Sequence, residues 1–182
     1  MNKDWKQFLA ESGASPGQDN VFRFTEEHQS DLAEGGFICD LSHFSTIVIA
    51  GPDAKDFIQG QFTNDVSAVD DSHSQLSAFC NKKGRMVANF RLFQYQQNYF
   101  LSVRSDLVER SIEHLQHYVL SAQVAIQDVS EQLVHIGISG DNAEAILSTF
   151  ITGLNSDIDS VSMNDDYIAI RIAGDKPRYE IF

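Results

Sequence analysis

Between Arg85 and Gln94 the side chains alternate with a period of two: Met86, Ala88, Phe90 and Leu92 are apolar, while Arg85, Asn89 and Arg91 are polar. That period belongs to an extended strand with one greasy face, because successive side chains of a strand point to opposite sides. Asn81-Lys82-Lys83-Gly84 precedes it and reads as a hairpin turn, with Gly84 available for a positive φ. A strand from Gln75 to Cys80 leads into the turn, and another runs from Tyr99 to Val103. Three strands in succession make a sheet the organising element of the chain.

The flanking segments add helices. Ile47-Val48-Ile49-Ala50 is a short β-branched run, the pattern of a strand covered on both faces. After Gly51, Pro52 suits a first helical position, and Asp53 and Asp56 suit the positive end of the helix dipole. Phe57 and Ile58 then face inward, the helix stops near Gly60, and Gln61 to Asp65 forms a polar loop. Ser105 is placed to cap a helix reaching about Val119, with Val108, Ile112, Leu115 and Val119 as its apolar stripe. Strands at Gln123–Val129 and Leu133–Ser139, a helix at Asp141–Phe150 and strands at Tyr167–Ala173 and from Tyr179 onward complete the pattern. The expected fold is α+β, an antiparallel or mixed sheet covered by helices in a split βαβ arrangement.

Three regions are expected: an N-terminal appendage over 1–30 with a short helix at Asp4–Ala10, a core over 31–139, and an incomplete second α/β segment over 140–182. Because Ile181-Phe182 stops inside a strand pattern, partners for the last strands are expected to be missing. Self-association through them follows from that expectation.

Composition narrows the function classes. With 42% hydrophobic and 21% charged residues the chain has globular composition. No apolar run reaches the roughly 18–20 residues of a membrane span, and the start lacks a basic region followed by an apolar stretch. Cys39 and Cys80 make neither a disulfide framework nor a zinc motif, so the cytoplasm is the expected address. The net charge of −13 opposes direct binding to nucleic acid or an anionic membrane. Residues 76–120 depart from this, with 6 basic and 3 acidic side chains, which suits either a small-anion site or solvated surface cations.

No strong catalytic or phosphate-binding motif occurs. His114 and His117 lack further ligands for a metal, Cys80 with His135 is a weak nucleophile pair, and Asp65, Asp70 and Asp71 read as a solvated loop. The polar row Arg85, Asn89 and Arg91 remains. It is either the wet face of a sheet or the lining of a pocket in which an amide gives directed hydrogen bonds and a guanidinium meets carboxylates.

Several stretches resemble a known family: Asp40-Leu41-Ser42-His43-Phe44, the run from Gly51 to Val66 containing Gln59-Gly60-Gln61-Phe62-Thr63-Asn64-Asp65-Val66, then Cys80-Asn81-Lys82-Lys83-Gly84-Arg85, and Arg91-Leu92-Phe93. Together they resemble the YgfZ family of folate-binding proteins, relatives of the glycine cleavage T protein, an aminomethyltransferase. The resemblance runs from about Asp40 to about Gly140. It implies a tetrahydrofolate-binding fold with a role in maintaining iron–sulfur enzymes and, through them, some tRNA modifications. Phe44 falls where the family sets an apolar side chain against the folate, Leu76 matches a ligand-packing position, and Asn89 matches the T protein's catalytic aspartate. With Arg85 and Arg91 these form the expected ligand-binding set. No catalytic residue and no metal ligand is expected.

An amide has no proton to exchange near neutral pH, so Asn89 sets the chain apart from the transferase branch. The family's Lys-Gly-Cys signature does not occur before Phe182. The resemblance thus implies the front portion of a folate-binding iron–sulfur maintenance protein, with iron–sulfur proteins as expected partners. The alternatives are a folate-dependent aminomethyltransferase and an interaction scaffold that has lost its ligand.

Overall fold

A computed structural model describes residues 1–17, 22–23 and 36–182 of the chain. The elements run α1 (Lys3–Glu11), β1 (Ser15–Pro16), β2 (Phe22–Arg23), β3 (Phe37–Asp40), β4 (Phe44–Ala50), α2 (Ala54–Gln59), β5 (Gln75–Cys80), β6 (Met86–Tyr95), β7 (Asn98–Arg104), α3 (Val108–Gln116), β8 (Ala125–Asp128), β9 (Ile136–Ser139), α4 (Ala143–Leu147), β10 (Val161–Met163), β11 (Ile168–Arg171) and β12 (Arg178–Ile181). The α+β class holds, and every strand pairing among the described residues is antiparallel.

The chain divides into two compact units, one of Met1–His43 with Glu131–Phe182 and one of Phe44–Ser130. The division differs from regions drawn at 31–139 and 140–182, because β9 pairs with β3 on one side and β12 on the other, which binds residues 37–40 to the C-terminal strands. The boundary expected between residues 30 and 31 lies outside the described residues.

In the unit of Phe44–Ser130 the strand order is β5-β6-β7-β4-β8. Leu92 of β6, Leu101 of β7 and Ile47 of β4 stand directly opposite one another and are fully buried. Around this row gather Ala88 and Phe90 of β6, Phe79 of β5 and Ile126 of β8, under Phe57 and Ile58 of α2 and Val108 and Leu115 of α3. The stripe on α3 is thus the expected one, but the helix is shorter. Ser105–Leu107 forms a 3-10 turn before it, and the Ser105 hydroxyl accepts from Ser45 Oγ instead of capping the helix. Pro52 also falls outside α2, whose N-cap is Asp53.

The other unit carries the order β10-β11-β12-β9-β3. Ile138, Ala169, Tyr179 and Ile181 from its strands pack against Ala143 and Leu147 of α4. Beside it, α1 is tied in by Trp5, whose Nε1 donates to Asp40 Oδ1 at 2.8 Å. On α1 Leu9 is buried and Phe8 is exposed. The last strand is a correction to the expectation of open edges: β12 pairs on both sides, with β9 and β11, and Phe182 is buried. The motive for self-association through this segment goes with it.

Gly51 marks the exit of β4 and needs to be glycine on two counts. Its φ is +129°, and a Cβ there would meet the Gln123 carbonyl oxygen at 2.2 Å. Gly51→Ala is expected to cost more than the about 1–3 kcal/mol of backbone strain alone, read as a lower midpoint in denaturant unfolding with an unchanged slope.

Candidate functional site

The greasy face of β6 turns toward the helices, so the opposite face of the same sheet presents its polar residues. Directly opposed residues share a face, and the register gives one cross-strand row of Leu76 (β5), Arg91 (β6), Ser102 (β7) and Thr46 (β4). The next pair toward the hairpin is Ala78 with Asn89. Phe44 stands on the same face of β4, two residues from Thr46 and opposite Arg104. Four of the five expected ligand residues therefore lie on one surface.

Arg85 does not join them. The register slips between Phe79 and Cys80: Phe79 opposes Ala88, but Cys80 opposes Met86, leaving Val87 as the extra residue of a bulge. The slip reverses the alternation. Met86 moves to the Asn89 side, where it is 62% exposed, and Arg85 opposes Asn81 on the other side. The expected row of Arg85, Asn89 and Arg91 is thus broken by one inserted residue.

The environments of the four differ. Arg91 is buried, and its guanidinium donates to the equally buried Ser74 hydroxyl at 3.0 Å. Leu76 is 59% exposed. Asn89 is exposed, and its amide has no hydrogen-bond partner among the described residues. Phe44 is half-buried. The surface is therefore neither a uniformly wet face nor a closed core. Arg91, Ser102, Thr46 and Phe93 make a buried floor, and Asn89, Leu76 and Met86 stand out from it.

A rim borders the exposed part. The loop expected after α2 lies along the free edge of β5. Thr63 N donates to the Ala78 carbonyl at 2.9 Å and Ala78 N donates back to the Thr63 hydroxyl at 3.2 Å. Asn64 Nδ2 donates to the Leu76 carbonyl at 3.1 Å, and Gln59 Oε1 accepts from Val66 N at 2.8 Å. The motif residues Gln59, Thr63 and Asn64 thus build the loop that satisfies an edge strand otherwise open to foreign pairing. Sequence reasoning did not assign Thr63, Asn64, Ser74, Thr46 or Ser102 to this surface. The motif itself was the one available signal for the first two, whereas the serines and threonine carry none, since only strand order places them beside Arg91.

The other candidates separate. His114 stacks on Phe79 with centroids 4.9 Å apart, and His117 contacts Tyr118. Among the described residues no three His, Cys, Asp or Glu side chains gather to hold a metal ion. Asp65 and Asp70 each accept hydrogen bonds from a serine two residues on, Ser67 and Ser72, and these hold both carboxyls below the usual range. Cys80 and His135 belong to different units. His135 stacks on Phe182 at 4.1 Å, with Nε2 3.5 Å from a Glu180 oxygen. No helix among the described residues is long and apolar enough to cross a membrane.

Comparison with known proteins gives these features a family. The model of the GCVT N-terminal domain matches residues 5–172. The chain belongs to this family. Among curated GCVT-type relatives, the tRNA-modifying protein YgfZ of Hamiltonella defensa is 29% identical over 139 residues, which is 76% of this chain and 41% of that protein. YgfZ of Photorhabdus laumondii is 30% identical over 64% of this chain and 35% of its own length. An aminomethyltransferase of Shouchella clausii is 31% identical over 68% of this chain and 33% of its own. The chain thus spans less than half the length of these three relatives. The solved glycine cleavage system aminomethyltransferase T of Bartonella henselae shares the fold, with a TM-score of 0.79 over 100% of this chain and 53% of that one, at 15% identity.

Two measurements test these placements. Arg91→Ala leaves the buried Ser74 hydroxyl without this donor and is expected to lower stability by about 1.5–3 kcal/mol, seen as a lower denaturation midpoint. Burial against Phe79 pushes the His114 imidazole below its ordinary value of 6.5, with His117 and Arg110 adding to the effect. The unfolded chain then holds this proton more tightly, so the His114 contribution is full above pH 6.5 and is lost as pH falls through the lowered folded value. Denaturant melts at about pH 7.5 and about pH 5.5 are expected to differ less in His114→Gln than in the native chain.

Proposed function

We propose that this chain binds tetrahydrofolate on the outer face of β5 and β6 and serves a maintenance role, not aminomethyl transfer. The observation that carries the reading is the register that sets exposed Leu76 and half-buried Ala78 beside the unpartnered amide of Asn89, under the Thr63–Asn64 rim. An apolar shelf with one directed amide suits a flat heterocycle whose edge carries donors and acceptors, because the shelf supplies area and the amide supplies orientation. Arg91, held by Ser74, supports the floor on which the shelf stands, and half-buried Phe44 flanks it on β4.

The amide also argues for the role. Asn89 stands where the resemblance to the T protein sets a carboxylate, and a carboxamide neither takes nor gives a proton near neutral pH. The relatives named as tRNA-modifying proteins support a link to tRNA modification, and we propose that the bound folate serves it by keeping iron–sulfur enzymes supplied. We place this work in the cytoplasm, with iron–sulfur proteins as partners, consistent with two free cysteines.

Calorimetric titration with tetrahydrofolate under anoxic, reducing conditions is expected to show one site. Asn89→Ala should weaken it about tenfold, the loss of one directed hydrogen bond, without changing the melting midpoint. An absence of heat with the native chain would remove the reading. Mixed with the other glycine-cleavage proteins, the chain is expected to give no glycine-dependent one-carbon transfer above a protein-free control. Turnover that disappears in Asn89→Ala would restore the transferase alternative.

A further inference from the structure

The helix α4 is apolar on its outer as well as its inner side. Ala143 and Leu147 are buried against the sheet of their own unit, while Ala145, Ile146 and, just past the helix end, Phe150 are exposed. A helix of a globular unit ordinarily turns charged and polar side chains to solvent. Here the one charge on α4 is engaged, because the Tyr179 hydroxyl donates to Glu144 Oε1 at 3.1 Å.

The turn between β10 and β11 extends the patch. Asn164 Oδ1 accepts from Asp166 N at 3.0 Å and from Tyr167 N at 2.8 Å, and Asn164 Nδ2 donates to the Phe150 carbonyl at 2.8 Å. One side chain thus shapes the turn and fastens it to the end of α4. The Tyr167 ring comes to the Phe150 ring, with centroids 6.0 Å apart and planes tilted by 56°. Phe150 is 56% exposed and Tyr167 41%. Asp165 and Asp166 stand in solvent in the same turn, and neither has a cationic partner among the described residues.

Apolar area held in water at a fixed geometry favours a partner that covers it. Ring faces attract cations and so do carboxylates, so two features select the same sign of charge. From Glu131 to Phe182 the chain carries 9 acidic and 3 basic side chains, which repels an acidic partner. A second copy seated patch on patch would set Asp165 and Asp166 against their equals.

We infer that α4 and the β10–β11 turn form a docking surface for a basic amphipathic helix of a partner protein. Its apolar side covers Ile146, Phe150 and Tyr167, and its Lys or Arg side chains reach Asp165 and Asp166. A helix suits the surface because Ile146 and Phe150 lie four residues apart, the spacing of a helical ridge, and small Ala145 and Thr149 leave room beside it. No residue of the proposed folate face takes part, so the inference stands apart from that reading.

The test uses two fluorescein-labelled helical peptides, one of Leu and Lys and one of Leu and Glu, each with Leu at i, i+3 and i+4 spacing. They are titrated by anisotropy into the native chain, Phe150→Ser/Tyr167→Ser and Asp165→Asn/Asp166→Asn. All four side chains are exposed, and unchanged melting midpoints serve as the check that the variants fold. The Leu–Lys peptide is expected to bind the native chain and to lose at least about tenfold in the ring variant. The Asp variant should lose about two- to fivefold for each ion pair removed, a loss that shrinks at higher salt. The Leu–Glu peptide should not bind. Absent binding of the Leu–Lys peptide, or equal binding to all three proteins through the net charge of −13 at large, would overturn the surface. Equal binding of the two peptides to the native chain would overturn the basic partner. A light-scattering mass that rises with concentration in the native chain, but not in the ring variant, would give the patch to a second copy and overturn the inference as well.

Discussion

Leu92, Leu101 and Ile47 form one fully buried row across β6, β7 and β4, and the surrounding sheet depends on that row. A slip of one residue in any pairing would carry these side chains, and Ala88 and Phe90 with them, to the opposite face. Burying a side chain of this size contributes about 1.5–3 kcal/mol, so the slipped alternatives are far less stable. The register that hides the apolar residues decides at the same time what the other face displays. Leu76 meets Arg91 and Ala78 meets Asn89 because Leu92 must meet Leu101.

Two local devices then differentiate that face. The bulge at Val87 ends the alternation before the hairpin, so Asn89 stands at the end of its polar row, and Arg85 turns away to the tip. The loop from Gln61 to Asp65 closes the free edge of β5 by pairing Thr63 with Ala78 and Asn64 with the Leu76 carbonyl. An exposed strand edge is a hazard of aggregation and also a place where a ligand can be approached from the side. Here the edge is satisfied by one of the stretches that carry the resemblance, which ties a structural need to the position of the proposed site.

Much of this was legible in advance because it depends on local chemistry. The period of two in β6, the turn at Asn81–Gly84 and the stripe of α3 arise from neighbours in sequence, and all three are present. The helix ends were less legible. Ser105 and Pro52 satisfy the usual preferences for a helix start, yet the chain uses a 3-10 turn at one place and begins a helix after Asp53 at the other. The β6–β7 turn gave no signal either, since Gln96 and Gln97 both take positive φ without the usual Gly or Asn.

The sequence alone determined that the chain builds antiparallel sheet under amphipathic helices, that an amide stands at position 89, and that the cations cluster between residues 82 and 85. These follow from side-chain identity and spacing. Only the tertiary structure decided which residues meet. The bulge removed Arg85 from the Asn89 row, strand order brought Ser74, Ser102 and Thr46 around Arg91, and the pairing of β9 with both β3 and β12 joined residues 37–40 to the end of the chain. Each of these is a contact between segments distant in sequence, selected by the competition of whole sheets for buried apolar area, and no local pattern records the outcome of that competition.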